Sequence, residues 1–171
     1  MTGDQRVSPI SEEWLTPPEI IRALGPIDTD PCVPCSMRHG FDAPWTIGDR
    51  RYCKCDNGLE REWKGFVWLN PPYGLNIGRW LAKMSKHRNG IALIFARTET
   101  GFFQDSVFRT ASALFFPARR IRFHKPDGTP GGYTGGAPSV FVAYGTDAVY
   151  RLDELLKMRG CLVSLDGRRL K

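Results

Sequence analysis

The sequence predicts an α/β fold built on one mixed β-sheet, and three observations carry that prediction. Continuous apolar runs at 66–69, 91–95 and 113–116 are bounded by turn residues, as expected of strands covered on both faces. Segments with apolar residues at helical spacing alternate with them, giving a βαβαβ order. The 171 residues fit a single domain, 1–171, with no internal repeat or linker and enough chain to bury a core without disulfides or metal.

The elements follow in order. Thr16-Pro17-Pro18-Glu19 reads as a capping box with proline in the first turn, opening a helix whose apolar face is Ile20, Ile21 and Leu24 and which Gly25-Pro26 ends. A short strand at 27–30 then delivers Asp30 at its carboxyl end. Residues of about 31–65 are rich in Pro, Gly, Cys and charge without periodicity, and so long an irregular stretch is usually functional or metal-pinned. After the strand at 66–69, Ile77, Trp80, Leu81 and Met84 form one helix face with Arg79, Lys83 and Lys86 opposite, stopped at Asn89-Gly90. Phe103 and Val107 mark a short helix. Residues 119–124 alternate basic and apolar as a strand would, Lys125-Pro126-Asp127-Gly128 is a turn, and 139–144 form another strand, so the end of the sheet is antiparallel. Asp147 caps a last helix running through Arg159 with Val149, Leu152, Leu155 and Leu156 inward, followed by a basic tail.

Composition excludes several classes. Hydrophobic residues at 42% and charged residues at 25% rule out wholesale disorder. No apolar stretch is long enough to span a membrane, and the opening residues carry no secretory pattern, so a soluble cytoplasmic protein without membrane partners is expected. Five cysteines, an odd number, argue against a disulfide framework. The formal charge of +6 suits a polyanionic partner. It is concentrated: residues 64–97 and 106–126 contain no acid but many Lys and Arg. Arg119, Arg120, Arg122 and Lys125, interleaved with Ile121 and Phe123, would track phosphates along one side of a strand, or else guard an exposed edge. Trp14, Trp45 and Trp80 are expected to pack, and Gly131 to Gly136 lack the Lys-Ser/Thr of a phosphate loop.

Asn70-Pro71-Pro72-Tyr73 is the most informative stretch, because a parallel strand would open there into the crevice at the carboxyl edge of the sheet. An exocyclic amino group on a nucleobase is a poor nucleophile, its lone pair being drawn into the ring. Two acceptors holding its N–H bonds favour the pyramidal, nucleophilic form, and the Asn70 side-chain oxygen and the Pro71 carbonyl can be those acceptors. Two prolines stiffen the loop, and Tyr73 offers a face worth about 1–3 kcal/mol of base stacking. The same chemistry serves amide nitrogens of proteins.

Thr16-Pro17, Asp28-x-Asp30-Pro31-Cys32, Asn57-Gly58-Leu59-x-x-x-Trp63, Trp68-x-Asn70-Pro71-Pro72-Tyr73-Gly74, Arg97-Thr98-Glu99-Thr100 and Arg120-Ile121-Arg122-Phe123 occur in that order. The ordered set, spanning roughly residues 14 to 144, resembles that of the phage-type DNA N6-adenine methyltransferases, the Dam-like family. The resemblance implies a Rossmann-like class I methyltransferase fold, S-adenosylmethionine as methyl donor, adenine N6 in double-stranded DNA as acceptor, and a phage- or prophage-encoded protein acting in the cytoplasm of a bacterial host. It implies that Asn70, Pro71, Pro72 and Tyr73 are catalytic, that Thr16 and Pro17 close over the methionine end of the cofactor, and that Asp30, Pro31 and Cys32, with Asp28 less directly, form the acidic turn beside it. Asp30 would accept the donor's ammonium in a charge-assisted hydrogen bond.

Two features depart from the family pattern. Val33-Pro34-Cys35 replaces a glycine-rich turn and the chain from Asp30 to Asn70 is short, so the fold is shortened there; Asp49, Asp56 and Glu60 are all available to hold the ribose. Cys32-x2-Cys35 with Cys53-x-Cys55, and His39 nearby, approaches four-thiolate zinc spacing, but the second pair is one residue short. The expectation is therefore no metal. The rival readings are the same fold acting on RNA or a protein amide, and a zinc-stabilised DNA-binding protein without catalysis.

Overall fold

Chain order runs α1 (Pro18–Leu24), β1 (Thr29–Asp30), β2 (Arg50–Arg51), β3 (Val67–Leu69), α2 (Ile77–His87), β4 (Gly90–Phe95), α3 (Gly101–Phe103), β5 (Ala113–Pro117), β6 (Ser139–Tyr144), α4 (Thr146–Glu154) and β7 (Gly160–Ser164). This computed structural model describes residues 13–35, 44–131 and 136–167. The strands form one seven-stranded sheet in the order β2-β1-β3-β4-β6-β5-β7. β2, β1, β3 and β4 are mutually parallel, and β6, β5 and β7 add by antiparallel pairing. The protein is thus α/β with a mixed sheet, as the apolar runs predict.

Alternation along the strands sorts the core onto two faces. Ile91 and Leu93 of β4 join Ile20, Leu24, Trp68, Phe141 and Leu152, so α1 and α4 cover one face. Ala92 and Ile94 join Val67, Leu69, Leu81, Met84 and Val142, with α2 and the turn following α3 on the other. Gly90 is required where β3 and β4 meet, because a Cβ there would lie 2.2 Å from the Val67 carbonyl oxygen. No helix among the described residues is long and apolar enough to cross a membrane.

The structure departs from sequence expectation at several elements, each for a physical reason. β5 does not lie beside β4; β6 is inserted between them. Residues 119–124 do not form a strand. Ile121 and Phe123 are buried and Arg120 and Arg122 exposed, as the alternation predicts. Both edges of β5 are already occupied, by β6 and β7, so the segment finds only isolated bridges from His124 to Leu15 and Pro130. The last helix ends at Glu154, continues as a 3₁₀ turn over Leu155–Met158, and turns at Arg159 (φ 58°) into β7, which was read as tail. β7 buries little and owes its place to the β5 ladder, which hydropathy does not register. The stop of α2 is Arg88 in the left-handed region, one residue earlier than expected. Within the segment read as irregular, Arg50–Arg51 pair in parallel with Thr29–Asp30.

Candidate functional site at the carboxyl ends of the parallel strands

Parallel pairing brings the carboxyl ends of β1, β2 and β3 to one edge of the sheet, placing Asp30, Arg51 and Asn70 there. A cavity of about 420 Å³ opens at this edge, within the range of small-molecule sites. Its walls come from 13–14, the turn 31–34, the segment 53–59 and the loop 70–73. A recess of about 20 Å³, room for one water, adjoins it and is lined by Thr16, Asp30, Arg51 and Asn70.

Three polar groups around these spaces are buried at a cost. Asn70 Oδ1 and Thr16 Oγ1 are buried and have no hydrogen-bond partner among the described residues. Each such atom forfeits about 1–3 kcal/mol, which a ligand donor would restore. Asp30 is 4% exposed and accepts the Cys32 N–H at 3.0 Å. Burial pushes its carboxyl up to about 7, against the opposing effects of that amide and of the Arg51 charge. A cation delivered to this carboxylate would offset its desolvation.

Thr16 is consequently not a helix cap, which corrects the capping-box reading. Pro17 holds the N-cap position of α1, no side-chain cap bond forms, and the Thr16 hydroxyl is left at the recess. Pro17 is buried behind it. Pro31 and Cys32 line the cavity. Asp28 is placed elsewhere: its Oδ2 accepts the Phe66 N–H at 2.6 Å at the amino-terminal end of β3, where it joins two strands rather than facing the cavity.

The loop after β3 changes in exposure along its length. Pro71 is buried, whereas Pro72 and Tyr73 are exposed. The Tyr73 ring stacks on Phe95, at the end of β4, with centroids 4.1 Å apart and planes inclined by 18°. One face of the Tyr73 ring is thereby taken, and the residue as a whole remains 42% exposed. Arg97 lies over the same Phe95 at 5.9 Å. Leu75, two residues beyond Tyr73, is completely exposed.

Asn57-Gly58-Leu59-x-x-x-Trp63 proves to be a wall element. Gly58 lets this turn press against the acidic turn, since a Cβ there would lie 2.1 Å from the Pro31 carbonyl oxygen. The Trp63 indole N–H donates to the Gly58 carbonyl at 2.9 Å and its ring stacks on Trp80. Lys83 closes the arrangement by donating to the Leu59 carbonyl at 2.7 Å with its ammonium 4.7 Å from the Trp63 centroid. Trp45 packs edge-on against His124, and Trp14 both packs on the core and lines the cavity.

None of the three acids considered for a ribose lines the cavity. Asp56 accepts the Cys53 N–H at 3.0 Å, Glu60 pairs with Arg79 at 3.2 Å, and Asp49 is exposed ahead of β2. Among the described residues the acid that does line it is Glu13, whose Oε1 accepts the Cys35 N–H at 2.9 Å. Sequence reasoning passed over Glu13 because it precedes every recognisable element.

Arg119, Arg120, Arg122 and Lys125 are exposed on a segment tied to the cavity's rim, His124 exchanging backbone bonds of 2.8 and 2.9 Å with Leu15. Residues 132–135 of the glycine-rich stretch, and His39, lie outside the described residues. No protein-family model matches the chain, and searches of curated proteins and of solved structures returned no match, so the reading of this site rests on its own geometry.

Proposed function

We propose that this protein is an S-adenosylmethionine-dependent methyltransferase of the Dam-like DNA N6-adenine type, with a Rossmann-like class I fold. The mixed sheet, parallel where the cavity opens, is compatible with that fold. The observation that carries the reading is the Asn70 Oδ1 at the carboxyl end of β3, buried and without a hydrogen-bond partner among the described residues, on a residue that lines both the recess and the cavity.

The residues present fit the donor: a buried carboxylate for its ammonium, an orphaned Thr16 hydroxyl, and a cavity of suitable size. When bound, S-adenosylmethionine supplies a methyl group already activated by its sulfonium. Asp30 and Thr16 would hold its amino-acid end, with Pro31 and Cys32 forming the wall beside it. Asn70 and the Pro71 carbonyl accept the N–H bonds of an extruded adenine and stabilise positive charge developing on N6. Tyr73, backed by Phe95, holds the flipped ring by stacking. Leu75 is suited to enter the space the base vacates, as apolar wedges do between base steps. Arg119, Arg120, Arg122 and Lys125 then meet phosphates along the duplex.

Incubation with labelled donor and a panel of duplex DNA, RNA and protein, followed by nucleoside analysis, tests the proposal. N6-methyladenine in DNA is expected. Label confined to RNA or to protein glutamine would transfer the same site to another acceptor, and DNA binding without donor binding would leave a non-catalytic DNA-binding protein.

A further inference from the structure

Three of the five cysteines converge in the folded chain. Cys35, Cys53 and Cys55 have sulfur atoms all within 4.8 Å of one another, and the Cys35 and Cys55 sulfurs are 3.5 Å apart. A zinc ion at about 2.3 Å from each of three thiolates in tetrahedral array sets its sulfurs about 3.8 Å apart, which lies between these two values.

The convergence follows from the local backbone. The β1–β2 pairing runs on past both strands, Tyr52 N–H donating to Asp30 and Val33 N–H to Tyr52 at 2.9 and 3.0 Å, so residues after 33 are carried against residues after 52. Cys53 is extended (φ −102°, ψ −176°) and Lys54–Asp56 then turn tightly, which swings Cys55 back beside it. The single-residue spacer, short by the usual measure, thereby presents both sulfurs to one point. Glu13 fixes the backbone of Cys35.

Cys32 is not part of this group. It packs against the core beneath the cavity, its N–H donates to Asp30, and burial together with the Asp30 charge raises its thiol well above the ordinary value. The four-cysteine set considered from spacing is therefore divided by the fold.

We propose that Cys35, Cys53 and Cys55 bind a zinc ion that ties the acidic turn to the segment 53–56 and so sets one wall of the cavity, with Cys32 excluded. This revises the expectation of no metal. Three protein thiolates leave the fourth position of the tetrahedron to water or another group, and the proposal does not depend on the methyl-transfer reading.

The test is metal analysis of the purified full chain, reconstituted with one equivalent of zinc and dialysed against metal-free buffer. About one zinc per chain is expected, and cobalt(II) in its place should give the intense near-ultraviolet absorption of thiolate-to-cobalt charge transfer. Cys55→Ser changes an exposed side chain and should leave the fold intact by circular dichroism while weakening zinc at least about a hundredfold, more than outer-shell changes cost. Cys32→Ser and Cys161→Ser should retain the metal. Zinc far below stoichiometry in the wild type, undiminished zinc in a folded Cys35→Ser/Cys55→Ser double variant, or a Cys35–Cys55 disulfide formed in place of metal uptake would overturn it.

Discussion

The two halves of the sheet are built to opposite specifications. On the antiparallel side, β6 is buried along its whole length and pairs with β4 from Gly90 to Phe95, while Phe141 packs against Trp68 and Phe115 with ring centroids 6.3 and 6.0 Å away. On the parallel side β1 and β2 have two residues each, and the edge they share with β3 holds the orphaned Asn70 and Thr16 oxygens and the buried Asp30 carboxylate. The first half supplies stability through apolar burial. On the proposed function, the second gives up stability to keep polar groups ready for a ligand, the trade expected of a preorganised site.

The sharpest way to break this comparison is to place one substitution in each half. Phe141→Ala should destabilise the fold by about 3–5 kcal/mol, a large part of a typical domain's margin, and chemical denaturation measures it. Asn70→Ala should do the reverse. Removing an unpartnered buried acceptor leaves the melting temperature unchanged or raised, while single-turnover methyl transfer falls on the order of a hundredfold or more. A folded Asn70→Ala that methylates at the wild-type rate would place the chemistry elsewhere.

Asp30 sharpens the contrast through pH. Its folded value of about 7 stands above the ordinary 3.8, so between these values the folded chain keeps a proton that the unfolded chain has released. Stability should therefore fall as pH rises from about 4 to 7, by at most about 1.4 kcal/mol per pH unit, and Asp30→Asn should flatten the profile. Donor binding runs the other way. A cationic amino group prefers the ionised carboxylate, so affinity should rise up to about tenfold per pH unit until 7 and then level off, a dependence that calorimetry should find missing in Asp30→Asn.

The smallest effect belongs to the rim. Replacing Arg120 and Arg122 together should leave stability nearly unchanged and reduce the log–log salt dependence of DNA binding by up to about two units if both meet phosphate. An unchanged slope would return them to guarding an exposed segment.

Periodicity and turn chemistry suffice for the class of fold. Apolar runs and 3.6-residue spacing marked β3, β4, β5, β6 and α2 because burial on both faces, or on one, writes itself directly into residue type. Asn70-Pro71-Pro72-Tyr73 was legible as a candidate site for the same local reason: the chemistry proposed for it lies in four adjacent residues following a buried strand. What required the tertiary structure is everything set by partners distant in sequence. Hydropathy is silent on β7, whose gain is a backbone ladder, and on the failure of 119–124 to become a strand, which follows from an edge already filled. The roles of the two aspartates on one short strand, Asp28 joining β1 to β3 and Asp30 facing the recess, depend on which end of a parallel sheet each reaches. Cysteine spacing only approached a four-thiolate set and led to the expectation of no metal, whereas the fold brings three of those sulfurs together, because a turn of backbone at 53–56 and a ladder between 30–33 and 50–52 decide which sulfurs share a point in space.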